Sequence, residues 1–425
     1  MAQANDLRAE VFMSTVRRFG HFIRGSAALI CQGPVGYWIW LGVLAALIVS
    51  GVLAYAHQVG TGLIVTAMRD QVSWGFYIGN FTFLVGVAAA AVVLVIPAYV
   101  YDWKPIREIV LFGELLAISA IVMCLLFVSV DIGRPDRIWH LMPPFGHLNF
   151  PRSILAWDSV VLSCYFLLNF TVATHILYRA FHGKHYRKGL VIPLVLLSIP
   201  MAVGIHTVTA FLYNGLAARP YWNSSILAPQ FLASAFCSGP AIMVILFQIL
   251  QRTTKIAIRD AAIWKVAELM AYAMFLNLFL LGAEVFKEYY SATEHLAHLQ
   301  YLFNGLHGHH ALVPYAWTFV GCGILAFLIF LFPATRRNVV TLNLGCLLIY
   351  ASVYIEKGMG LVIPAFTPDT LGEFYEYTPT LHELRIGAAI FSTGFLVFTV
   401  LCKIAVPILT GAFSAAHVPE PTKSA

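Results

Sequence analysis

Asp131-Ile132-Gly133-Arg134-Pro135-Asp136-Arg137-Ile138-Trp139-His140 opens a polar, proline-broken stretch. It runs on through Leu141-Met142-Pro143-Pro144-Phe145-Gly146-His147-Leu148-Asn149-Phe150-Pro151-Arg152-Ser153 and closes on Trp157-Asp158. Long apolar runs flank it, near 108–130 and 153–181. A run of more than about 18 apolar residues is long enough to cross a bilayer core. The stretch therefore reads as a loop at a membrane boundary, joining two spans.

The rest of the chain has the same character. Of its 425 residues, 60% are hydrophobic and only 11% charged, too few charges to cover a soluble surface of this size. The expected fold is an all-α polytopic membrane protein. Ten spans are expected, near 35–56, 73–101, 108–130, 153–181, 190–212, 227–251, 263–289, 314–334, 338–359 and 382–409. Ala54-Tyr55-Ala56 has the pattern of a cleavage site, but the run before it is long for a signal peptide, so 35–56 reads as a retained span. Residues 73–212 form one expected four-helix bundle and 227–359 a second, with 35–56 and 382–409 as one extra helix at each end. The two units are similar in pattern: Asp131 closes the third span and Glu284 nearly closes the seventh, each ahead of a long loop rich in His and aromatics.

Charge sets the orientation. The net charge of +6 is modest and needs no nucleic-acid partner. Most Lys and Arg residues fall in Arg8–Arg24, Lys104–Arg107, Arg179–Lys188, Arg252–Lys265, Arg336–Arg337 and Lys403–Lys423, all on one side of a ten-span chain. The positive-inside rule then puts both termini in the cytoplasm, with the chain in the cytoplasmic (inner) membrane. Residues 1–34 read as an amphipathic arm on the membrane surface, a disordered tail being the plain alternative. Residues 410–425 read as a cytoplasmic tail. Arg134, Arg137 and Arg152 break the charge rule, which suggests a local task on the outer face. The plain alternative is a surface network with Asp131 and Asp136.

Ionisable groups within spans are costly and mark function. An outer tier holds Asp131, Asp158, His206, Glu284, Glu356, Glu383 and Arg385; an inner tier holds Glu114, His175 and Glu268. Glu114, His175, Glu268 and Glu284 are candidates for a proton relay, or else local structural pairs. His175 and His206 lie at opposite ends of adjacent spans, a poor arrangement for a bis-histidine haem. The seven cysteines include no C-x-x-C pair, so covalent haem and iron–sulfur motifs are absent from the chain. The histidines of 294–310 match no firm metal-ligand spacing, and no metal site is expected. A partner-facing loop is the favoured reading there.

Proton-coupled redox chemistry on a quinone suits the outer tier. A quinone ring needs an apolar slot, and each oxygen needs a donor or acceptor. Asp131, Asp158 and His206 are the candidate catalytic groups, with His140 beside them. Arg134 is placed to stabilise an anion. Trp74, Tyr77, Asn80, Arg134, Trp139, His140 and Trp157 are candidate quinone-binding residues, although aromatics at this depth also serve as interface anchors.

Three segments resemble the NrfD/PsrC family of membrane subunits. Val72-Ser73-Trp74-Gly75-Phe76-Tyr77-Ile78-Gly79-Asn80-Phe81-Thr82-Phe83-Leu84-Val85-Gly86-Val87 resembles its first core helix. Val130-Asp131-Ile132-Gly133-Arg134-Pro135 with Trp157-Asp158 is a second match, and Ser198-Ile199-Pro200 through His206 to Tyr213 is similar to the DsrP branch. The resemblance implies two four-helix bundles and electron exchange between menaquinone, or another quinone, and an extracytoplasmic iron–sulfur subunit. It implies a DsrO-like iron–sulfur subunit, a DsrJ-like c-type cytochrome, a DsrM-like b-haem membrane subunit and a DsrK-like subunit as partners in sulfur metabolism. One departure is plain: polysulfide-type relatives carry Asn and His on the first core helix, whereas Tyr77, Asn80 and Phe81 stand here and no His does. Two other functions fit the same composition, an ion-coupled secondary transporter and a non-catalytic membrane anchor for redox partners.

Overall fold

The computed structural model describes residues 19–415 apart from 90, 102, 108 and 143. A short helix α1 (19–30) is followed by α2 (Val35–Thr61), α3 (Phe76–Ala89), α4 (Val110–Asp131), α5 (Ile154–Phe181) and α6 (Lys188–Asn214). Then come α7 (Leu227–Thr253), α8 (Asp260–Ser291), α9 (His295–Phe303), α10 (Val313–Leu331), α11 (Val339–Lys357) and α12 (Leu381–Leu409). Among the described residues there is no strand, only an isolated bridge between Leu306 and His309. An all-helical chain follows from the solvent: in hydrocarbon each backbone N–H and C=O must be satisfied within its own segment. Nine of the described helices are long and apolar enough to span a membrane: α2, α4 to α8 and α10 to α12. The chain is a multi-pass membrane protein.

The expected second span, 73–101, is not one helix. α3 covers 14 residues, about 21 Å at roughly 1.5 Å per residue, short of a bilayer core of about 30 Å. Ala91 keeps helical dihedrals, a single turn Val92–Val95 follows, and Ile96–Val100 forms a π turn. Pro97 lies in that turn, and a proline cannot supply the N–H that a regular helix needs. Other boundaries move outward: α2 continues to Thr61, and α8 covers Asp260–Ser291. Of the expected arm, residues 1–18 lie outside the described residues. Its helical part, α1, docks by Phe22 edge-on against Tyr178 and Phe181 of α5. Of the expected tail, 416–425 lie outside the described residues.

Helix starts are fixed by short polar side chains. Ser153 accepts from the Ala156 N–H at α5, and Asn338 accepts from Val340 and Thr341 at α11. Thr380 and Glu383 form a reciprocal capping box at α12. We call the end of the array that carries residues 131–158 the upper end. There Gln58, Val130, Tyr77 and Glu383 meet.

Packing makes α3 the hub. It lies against α4, α6, α7 and α11, and nearly all of it is buried. A helix walled in by protein rather than lipid tolerates a broken path, because neighbours can satisfy the freed backbone groups. Helices α4, α5 and α6 adjoin in sequence, and α6 returns to α3; α7, α8, α10 and α11 contact one another in the same manner. The first and last spanning helices, α2 and α12, pack along each other, and α12 also lies on α4 and α5. Both extra helices therefore sit on one side. Small residues allow the close approach: a Cβ added at Gly51 would lie against Ala389 and 2.7 Å from the Arg385 carbonyl oxygen.

Candidate functional site

Three residues of α3 reach three different helices at the upper end. The Tyr77 hydroxyl donates to Gln58 Oε1 of α2 at 2.7 Å, and Gln58 Nε2 donates to the Val130 carbonyl at 2.7 Å. Asn80 Oδ1 accepts from the Tyr354 hydroxyl of α11 at 2.9 Å. The Thr82 and Tyr213 hydroxyls, on α3 and α6, are hydrogen-bonded to each other. Burial explains why each polar group is matched: an unmade hydrogen bond inside an apolar bundle costs more than the bond gains.

Asp131 stands at the last turn of α4, and its Oδ1 is buried with no hydrogen-bond partner. It lies within electrostatic range of Glu383, and both act on Tyr77. Glu383 is wholly buried. Its Oε2 accepts from the Ala67 and Thr380 N–H groups, both at 2.9 Å, and its Oε1 accepts from the Tyr377 hydroxyl. The Tyr377 oxygen in turn accepts from the Phe76 N–H at 2.9 Å. The start of α12 is thereby tied to the start of α3.

Asp158 on α5 and His206 on α6 are each buried. Asp158 Oδ1 accepts from the Thr209 hydroxyl at 2.7 Å. His206 Nδ1 donates to the Ala202 carbonyl at 3.0 Å, which leaves Nε2 as a bare acceptor, buried and without a partner. Trp74 stacks on Trp222 and meets Tyr213 of α6 edge-on, both at 5.6 Å between ring centres.

The remaining candidates from 131–158 lie outside this interior. Arg134 is 64% exposed and forms a two-pronged pair with Asp136, at 2.9 and 2.8 Å. Each partner shifts the other: Arg134 holds the Asp136 carboxyl below its usual value, and Asp136 raises the guanidinium. This is one pair of the surface network posed as the alternative, without Asp131, and an exposed pair of this kind contributes little to stability. Trp139 and His140 are exposed and contact one another. Trp157 is partly exposed, donates to the Pro151 carbonyl at 2.8 Å and packs on Phe150.

The relay candidates are scattered. Glu114 is buried on α4 with Oε2 unpartnered. His175 Nε2 accepts from the Arg187 N–H at 3.4 Å. Glu268 belongs to a peripheral cluster with Lys265, Tyr272 and Arg336. Glu284 enters a buried group on the far side of α3: its Oε2 accepts from Gln230 Nε2 at 2.7 Å. Gln230 Oε1 accepts from Lys357 Nζ at 3.3 Å, and that ammonium lies 2.9 Å from Glu356 Oε1. Asn277 Nδ2 donates to Glu356 Oε2 at 2.9 Å. Sequence reasoning does not single out Lys357, because a lysine at a span end normally reaches out to the interface. Its neighbour Glu356, already in the outer tier, is the available signal.

The 294–310 segment is not a plain loop. α9 occupies much of it, and His298 is buried there with Nδ1 donating to the Pro364 carbonyl at 2.7 Å. His309 stacks on Phe374 and lies 3.4 Å from Glu376.

A many-helix membrane protein with buried acids and hydroxyls gathered at one end of a central helix is the class these observations define. Residues 64–366 match the model of the family described as "Polysulphide reductase, NrfD", and the chain belongs to that family. It is 26% identical to a putative membrane subunit of dimethyl sulfoxide reductase from Halobacterium salinarum, over 84% of this chain and 88% of that one. It is 24% identical to a selenate reductase subunit of Mesobacillus selenatarsenatis, over 87% and 94%. It is 22% identical to the Hdr-like menaquinol oxidoreductase integral membrane subunit of Archaeoglobus fulgidus, over 87% and 93%.

Proposed function

We propose that this chain is the quinone-reactive membrane subunit of a respiratory redox complex. In this reading it exchanges electrons between menaquinol, or another quinone, and an extracytoplasmic iron–sulfur partner. The observation that carries the reading is the gathering of buried polar groups around the upper end of α3, in a family with a relative named for menaquinol oxidation. Asp131 and His206 each hold a buried atom without a protein partner, the state of a group that serves a substrate oxygen or a transferring proton. Asp158, Tyr77, Asn80 and Trp74 complete the inner set. Arg134, Trp139, His140 and Trp157 are better suited to a partner's surface than to the ring.

The broken helical path from Phe76 to Val100 counts as the second of ten spans. The chain then has two four-helix bundles in the inner membrane and both termini in the cytoplasm. The similarity to the DsrP branch supports a place in sulfur metabolism beside DsrO-, DsrJ-, DsrM- and DsrK-like partners. Glu114, buried, and Glu284, half-buried and bonded to the buried Gln230, are the relay candidates that face the interior. The buried Lys357–Glu356 pair favours an ion-coupled transporter as the second reading.

Quinol-dependent reduction of the partner's redox centre, measured on the purified complex, tests the proposal. Asp131→Asn combined with His206→Ala should lower that rate by at least tenfold while the partners still co-purify. Unchanged quinol oxidation, in a complex that retains no quinone, would overturn it.

A further inference from the structure

Pro97 interrupts the path that follows α3. Apart from one turn at Lys104–Arg107, a regular helix resumes only with α4 at Val110. The break lies at the lower end of the array, opposite residues 131–158. A cleft of about 540 Å³ adjoins it, within the range of about 300–1,000 Å³ usual for small-ligand sites. Its walls come from four parts of the chain: the broken segment with the start of α4, the end of α5 with the α5–α6 link, the α7–α8 link, and the end of α12.

These walls offer two kinds of surface. Leu111, Ile176 and Leu409, from α4, α5 and α12, are apolar. Arg107 and Lys255 bring a guanidinium and an ammonium from distant parts of the sequence. Tyr99 and Tyr186 add two phenols, whose rings meet edge-on at 6.3 Å between centres. None of the described residues that line the cleft is Asp or Glu. Glu114, one turn along α4 from Val110, is buried and does not line it. Two cations with no carboxylate in the same wall repel a metal ion and attract an anion. A guanidinium fork matches the paired oxygens of a phosphate, and the apolar wall suits the start of an alkyl chain. Lys255, Ala257, Leu409 and Thr410 are exposed, so the cleft opens at the surface of the array. The expected orientation puts this end in the cytoplasmic leaflet, whose anionic lipids attract basic residues.

We propose that this cleft is a binding site for an anionic phospholipid, with the phosphodiester on Arg107 and Lys255 and an acyl chain along Leu111, Ile176 and Leu409. Tyr99 and Tyr186 supply hydrogen bonds to the headgroup. The lipid fills the space beside the helix break and ties residues 99–107 to α5, α12 and the α7–α8 link. It is a structural ligand, remote from Asp131 and His206 and independent of the quinone reading.

The test uses the full chain in phosphatidylcholine nanodiscs doped with a photoreactive phosphatidylglycerol. Labelling is expected on peptides covering 99–111, 176–186 and 255–257, and unlabelled phosphatidylglycerol should displace it. Arg107→Gln and Lys255→Gln should each raise the mole fraction needed for half-maximal labelling about fivefold, and the double variant roughly twenty-five-fold. Lys184→Gln with Lys188→Gln, exposed at the same end but outside the cleft, should change it less than twofold. Ala257→Trp, at the rim, keeps both cations and should block labelling without lowering the melting temperature; if the charge variants fail to fold, this variant decides. Equal labelling by a photoreactive phosphatidylcholine overturns the proposal, as does labelling confined to other peptides. An equal loss from the Lys184 and Lys188 pair assigns the effect to diffuse surface charge and overturns it too. Displacement by millimolar inorganic phosphate assigns the cleft to a soluble anion and overturns the lipid.

Discussion

Lys357 and Glu356 show what a buried charge costs when its partner is lost. Their side chains are only 5% and 6% exposed, and Gln230 and Asn277 complete the shell. Removing one member of such a pair leaves the other charged and unsolvated, a loss of about 3–5 kcal/mol. Lys357→Met or Glu356→Gln alone should therefore lower the melting temperature markedly, and the double variant should recover most of the loss. Thermal unfolding of the four proteins in one detergent gives the coupling directly; additive losses would refute it. His298 makes a pH prediction outside the spans. Burial pushes its pKa down, against a smaller upward pull from the Pro364 and Thr367 carbonyls. A depressed histidine binds fewer protons in the folded state. Its contribution is thus intact above the ordinary imidazole value, about 6.5, and is lost as pH falls below it. Melting curves of wild type and His298→Gln should converge as pH drops from 7 toward 5. A constant difference would sink the assignment.

At the scale of the element, α2 and α12 are held by contact between backbones. Gly51 leaves no room for a side chain against Ala389 and Arg385, and Arg385 itself donates to Ser50 Oγ and the Ser50 carbonyl, both at 3.1 Å. Gly51→Leu should force the helices apart and cost about 1–3 kcal/mol, read as a lower melting temperature. Gly42→Leu, which meets nothing within 4 Å, should leave stability unchanged. Equal effects from the two would mean that helix propensity, not packing, is being measured. Most helices can be read as long apolar runs, because the bilayer imposes length and composition on any segment that faces lipid. α3 and α9 cannot. α3 is enclosed by other helices, so nothing requires it to be long or continuous. α9 is too short to show periodicity, and the histidines around it suggest a loop.

For the whole molecule, the distribution of Lys and Arg leads to a firm expectation about orientation. Fluorescent protein fused to either terminus should be bright, and alkaline phosphatase inserted after Phe145 should be active. Silent phosphatase with dark termini would invert the topology. The candidate site was legible only in part. Asp131, Asp158, His206, Tyr77 and Asn80 stand out as polar groups within apolar runs, and all five belong to the interior at the upper end. Arg134, Trp139, His140 and Trp157 come from the same stretch of chain but face outward. Proximity in sequence could not separate the two sets, because one turn of helix or loop reverses the direction of a side chain.

Residues 131–158 by themselves determined that two spans meet at a polar boundary, and composition determined that the chain is a helical membrane protein. Both follow from the energetics of placing polar groups in hydrocarbon, a property each segment carries alone. Only the tertiary structure decided which polar groups share a chamber. Tyr354 and Tyr377 come within reach of α3 through hydrogen bonds spanning about three hundred residues. Lys357, beside Glu356 on α11, is held inside by Gln230 of α7. Such pairings depend on how the helices are arranged around one another, which the hydropathy of a single segment does not encode.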